Sequence, residues 1–99
     1  MSVKNTDYEL IAASQTDQVC GPVGAKGDVL ERLIIVPETT AAGTVAIQDG
    51  SDTAINVFVA GTLSDLHPII VYLGARSATG AWSITTGTAV HAIAVGRFT

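Results

Sequence analysis

A chain of 99 residues holds one domain with one core and is too short for two ordinary ones. Apolar residues make up 47% of it and charged residues only 14%, against roughly 25% charged in a typical soluble domain, which leaves the surface to Thr, Ser, Ala and Gly and suits a chain whose outer face is partly covered by something else. Five basic residues against nine acidic ones give a net charge of −4, with Lys4, Lys26, Arg32, Arg76 and Arg97 scattered along the chain, and this excludes the basic patch that a nucleic-acid partner requires.

Met1 to Thr6 is polar, begins no apolar signal-peptide core, and reads as an arm that orders on docking. Tyr8 to Ala13 is the first strand candidate, and Asp17 to Cys20 is a weaker second one. Gly21-Pro22-Val23-Gly24 then breaks the chain. Asp28 to Val36 is the longest extended candidate, since Leu33-Ile34-Ile35-Val36 reads as a strand with both faces covered. Val29-Leu30-Glu31-Arg32-Leu33 also fits one helical turn, but the pattern is too short for a stable helix and runs into β-branched residues.

Beyond the loop Glu38 to Gly43, Val45 and Ile47 alternate with Thr44, Ala46 and Gln48. Asp49-Gly50-Ser51-Asp52 supplies turn chemistry, and Ile55, Val57 and Val59 resume the alternation, which predicts a β-hairpin. Gly61 to Asp65 is a further loop. Pro68 opens a run, Ile69 to Leu73, that is apolar on both faces. Trp82-Ser83-Ile84-Thr85 and Ala89 to Phe98 complete the set, the last alternating Val90, Ala92 and Ala94 against His91, Ile93 and Val95.

About eight short strands at this spacing predict an all-β fold, an antiparallel β-sandwich of jelly-roll type. Periodicity does not separate that from a seven-stranded sandwich or a small barrel. Residues 1 to 99 form the single domain.

No catalytic, metal or cofactor constellation emerges. His67 and His91 have no Cys or acidic neighbour at metal-ligand spacing. Gly21 to Gly27 lacks the Gly-Lys-Ser/Thr ending of a phosphate loop, and Gly-x-Ser-x-Gly is absent. Cys20, the single cysteine, reads as a buried small hydrophobe. The expectation is a non-enzymatic protein without cofactor, metal, nucleic-acid or membrane partner. Contact with other proteins falls to loops on a rigid sandwich, over Gly21 to Gly27, Glu38 to Gly43 and Gly61 to Asp65. Pro22, Lys26, Thr39, Thr40 and Leu63 are the candidates there, with Trp82 as either a core residue or a contact anchor.

From Leu33 to Thr99 the chain resembles the small β-sandwich virion proteins of tailed bacteriophages. The resemblance rests on Ile47-Gln48-Asp49-Gly50-Ser51, Val71-Tyr72-Leu73-Gly74-Ala75-Arg76-Ser77, Gly80-Ala81-Trp82-Ser83-Ile84-Thr85-Thr86-Gly87 and Ala94-Val95-Gly96-Arg97-Phe98-Thr99. It implies a capsid decoration or cement protein, made in the host cytoplasm and placed on the capsid surface, with a homotrimeric assembly and the major capsid protein as partners. A head-tail joining or tail component, and a carbohydrate or host-recognition module, are the alternatives.

Overall fold

The computed structural model describes residues 7 to 61 and 66 to 99. The proposed arm over residues 1 to 6 and Leu63 lie outside the described residues. Eight strands run in chain order: β1 (Asp7–Ile11), β2 (Gln18–Val19), β3 (Val29–Pro37), β4 (Val45–Asp49), β5 (Ile55–Phe58), β6 (Ile69–Arg76), β7 (Trp82–Thr86) and β8 (Val90–Arg97). They form two four-stranded antiparallel sheets, sheet A in the order β1-β8-β3-β6 and sheet B in the order β2-β7-β4-β5. The chain changes sheet at every connection except the β4–β5 hairpin. That order is the jelly roll, and it settles the choice that periodicity left open.

The hairpin forms where Asp49 and Gly50 predict it. Gly50 adopts φ +55°, and Ile47 pairs with Ile55 beyond the turn.

The core lies between the sheets. Ile11, Leu33 and Ile35 of sheet A face Ile47, Trp82 and Ile84 of sheet B. Along β8, the second strand of sheet A, the inward residues are Val90, Ala92 and Ala94, two of the three small. Small side chains there make room for the bulky ones opposite, as close packing requires.

A bulge interrupts β3. Leu30 pairs with Gly96 and Arg32 with Val95, which leaves Glu31 as an extra residue. Leu30 and Leu33 therefore both face inward, three residues apart. This is the spacing that resembled a helical turn, and the structure resolves it as a strand.

Asp28, just before β3, ties the end of the sandwich together. Its carboxylate accepts hydrogen bonds from the backbone N of Ala25 (3.0 Å) and Thr99 (3.1 Å). Its carbonyl oxygen accepts the indole Nε1 of Trp82 (3.1 Å) and the N of Ser77 (2.8 Å).

Candidate functional site

The two outer faces of the sandwich differ in chemistry. On sheet B, Val19, Ala46, Gln48, Asn56, Ser83 and Thr85 take the outward register positions, a mainly small and polar set in which Ala46 and Ser83 are buried and Val19 is exposed. On sheet A the registers build three rows across the strands. The first is Tyr8, Val95, Arg32 and Tyr72, and the second is Leu10, Ile93, Ile34 and Ile70. The third pairs His91 with Val36, and Ala12 and Pro68 lie next to the ends of β1 and β6.

No described element packs over this face, whose edge residues are the exposed ones while Val95 between them is buried. Tyr8 is 74% exposed, Leu10 57%, Ile70 47% and Tyr72 76%. The strand runs that look covered on both faces, Leu33 to Val36 and Ile69 to Leu73, are covered by this chain on the inner face only. The reason is geometric: a two-layer sandwich buries one face of each sheet and leaves the other to solvent or to a partner. Scattered exposed apolar residues are ordinary, whereas a contiguous field marks an interaction site.

The two tyrosines stand at opposite edges of the sheet, about 14 Å apart at three strand spacings of about 4.8 Å. Between them the β3 bulge and Gly74, at φ +59°, open a shallow groove of about 420 Å³ lined by Glu31, Arg32, Tyr72, Leu73 and Gly74. No hydrogen bond or ion pair holds the Arg32 side chain among the described residues. At the other end of the face, His91 Nδ1 meets Glu38 Oε2 at 2.7 Å.

A second groove, of about 480 Å³, is lined by residues that include Asp7, Glu9, Pro22 and Phe98. Its carboxylates have structural work. Asp7 accepts the N of Phe98 (3.2 Å), and Glu9 accepts the N of Gly21 (3.1 Å) and Nε2 of Gln18 (2.8 Å). Among the described residues no group of three or more His, Cys, Asp and Glu side chains stands where it could hold a metal ion. Nor is any described helix long and apolar enough to cross a membrane.

The contact residues expected from sequence do not come together. Pro22 and Lys26 are exposed in the loop before β3, whose Val23 and Gly24 N–H groups donate to the carbonyl oxygen of Thr99 (3.1 and 2.6 Å). Thr39 and Thr40 are exposed in the loop after β3, and Thr39 Oγ1 accepts the N of Ala41 (3.2 Å). Trp82 is only 5% exposed and packs in the core. Of its two expected roles it takes the core one, and it offers no surface to a partner. The residues that sequence reasoning missed are Tyr8, Leu10, Arg32, Ile70 and Tyr72. For Ile70 and Tyr72 the signal was the run Ile69 to Leu73, apolar on both faces; Tyr8, Leu10 and Arg32 lie outside both such runs.

Cys20 is fully buried, and burial, with smaller contributions from Glu9 and Asp28, pushes its thiol up to about 12. The folded protein is therefore expected to resist iodoacetamide at neutral pH and to react only once unfolded, which a mass-shift assay with and without denaturant reads directly. Because the thiol ionises far more readily in the unfolded chain, its contribution to stability is complete below its ordinary value of 9.0. That contribution fades as pH climbs from there toward 12.

Asp49 lies below the usual carboxylate range because it accepts the backbone N–H groups of Ala78 (2.8 Å) and Thr79 (3.1 Å) in the β6–β7 loop. Its stabilising contribution is present above the ordinary value of 3.8 and is lost as pH falls through its lower folded value. Asp49→Asn should lower the melting temperature by a few degrees at pH 7, and the gap between variant and parent should close in acid. A gap that does not change with pH would contradict the assignment.

The chain matches no known family model, curated protein or solved structure.

Proposed function

We propose that this chain is a structural protein of a virus particle, a capsid decoration or cement protein that works by laying the outer face of sheet A against another protein. The observation that carries the reading is the difference between the two outer faces of the sandwich: that of sheet B is mainly small and polar with Val19 at its edge, that of sheet A a field of Tyr, Leu, Ile and Val around a single Arg. Tyr and Arg are the residue types that dominate binding energy in protein interfaces. The field is flat, whereas small-molecule sites are concave.

Eight-stranded jelly rolls serve as capsid proteins, lectins and cupins, so the fold leaves the role open. The virion reading draws on the resemblance of Leu33 to Thr99, and it names self-association and the major capsid protein as partners on the capsid surface. Repetition over a capsid turns modest contacts into firm attachment. The recognition-module alternative leaned on Trp82 as its aromatic, and that side chain is in the core.

The test is co-sedimentation of the purified chain with shells assembled from the major capsid protein of the genome that encodes it. Saturable binding that Tyr72→Lys abolishes is the expected result. Shells that sediment without the chain, or a genome with no such gene, would overturn the reading.

A further inference from the structure

The same face has the size and chemistry to close on a copy of itself. With aromatic side chains of roughly 200 Å² each, the exposed fractions of Tyr8, Tyr72, Leu10 and Ile70 and the half-buried residues between them amount to on the order of 600 Å² of apolar surface. A standard interface takes about 800 Å² from each partner once its polar rim is counted. Two such faces are enough for a weak but specific dimer. The chain carries a net charge of −4, and the face sets Arg32 with Glu31 at one end and Glu38 with His91 at the other, so opposite charges are available to meet across it.

Two ways of stacking one sheet on another keep the strands aligned. A two-fold axis along the strands would set Tyr8 on Tyr72 and Ala12 on Pro68, crowding one end and leaving a gap at the other, with Arg32 far from any carboxylate of the second copy. An axis across the strands, through the row Leu10, Ile93, Ile34 and Ile70, sets the bulky first row of one copy on the small third row of the other. Tyr8 then covers Ala12, Tyr72 covers Pro68, and Arg32 lies over Val36 beside the His91–Glu38 pair. Arg32 then stands between Glu31 of its own strand and Glu38 of the second copy. Size and charge select the same axis.

We infer that the chain forms a two-fold symmetric dimer, face to face through sheet A, with its axis across the strands. The dimer occupies the face that the virion reading gives to the capsid, so the two contacts exclude each other on one chain at one time and the dimer has to open before the chain docks. The dimer is tested without capsids, so either can fail alone. An isologous contact puts residues on the axis against themselves, and Leu10 and Ile70 mark the two ends of that axis.

The experiment is light scattering on a sizing column, followed by cross-linking with a bismaleimide shorter than the about 14 Å width of the sheet. The native chain should show the mass of two chains of 10.1 kDa at high concentration and fall toward one on dilution. Leu10→Cys and Ile70→Cys should each cross-link alone into a covalent dimer, while Cys20 stays buried and unreactive. Arg32→Glu should abolish the dimer, and Arg32→Glu combined with Glu38→Arg should restore it, which a merely structural arginine would not do. A mass of one chain at all concentrations, or of three, overturns the inference. So does cross-linking that requires both cysteines together, since that is the signature of the other axis.

Discussion

Gly96→Ala is expected to abolish stable folding. Gly96 sits on β8 between Asp7 of β1 and Leu30 of β3, against the β3 backbone where the bulge begins. A Cβ there would run into the carbonyl oxygen of Val29 and come within 3.1 Å of the Leu30 Cα. Both obstacles are backbone, held by the ladders on either side, so neither can swing away as a side chain would. Overpacking a core ordinarily costs about 1–3 kcal/mol, and a clash with fixed backbone should exceed that range, against a total stability of about 5–15 kcal/mol for a domain of this kind. A circular dichroism melt of the variant should lack a cooperative transition or show it displaced by tens of degrees. A melt close to that of the parent would mean that β3 can shift at the bulge, contrary to the packing described above.

Trp82→Ala should cost about 3–5 kcal/mol, the range for deleting a large buried aromatic. Trp82 lies in the core, donates its indole N–H to the Asp28 carbonyl oxygen and pairs with Asp49 of β4. Trp82→Phe separates volume from hydrogen bonding. The ring still fills most of the space, and the carbonyl oxygen of Asp28 keeps its bond from Ser77 N at 2.8 Å. Only the indole bond is lost, so the cost should fall to about 1–2 kcal/mol. Urea unfolding of the three proteins decides the matter. Equal losses for Ala and Phe would show that the hydrogen bond dominates, and a negligible loss for Ala would remove Trp82 from the core.

Most of the fold was legible in the sequence because its signals are local. Alternation in Val45 to Gln48 and the Asp49-Gly50 turn specify a hairpin without reference to the rest of the chain. Val90, Ala92 and Ala94 against His91, Ile93 and Val95 divide in register into an inner and an outer face as their alternation predicts, although Val95 is itself buried. The site was legible only in part. Two-faced apolar strands announce that a second face wants cover, but period-two alternation does not say which face the chain covers itself. Nor does it say that Tyr8, Arg32 and Tyr72 stand in one row. That row is made by β8 inserting between β1 and β3, a crossover that no local pattern encodes. Loops were the expected contact regions because loops usually carry recognition. Here single exposed hydrophobes such as Val23 and Val59 do lie in loops, but the contiguous rows of apolar side chains sit on a sheet face, the more rigid platform.

The most direct measurement is hydroxyl-radical footprinting of the protein, first highly diluted and then in its assembled or shell-bound state. Tyr8 and Tyr72 should lose most of their reactivity on assembly, while Val23 and Val59, 78% and 71% exposed and away from sheet A's outer face, keep theirs. If the two tyrosines stay as reactive as in the dilute chain while other positions become protected, the working surface lies elsewhere on the sandwich.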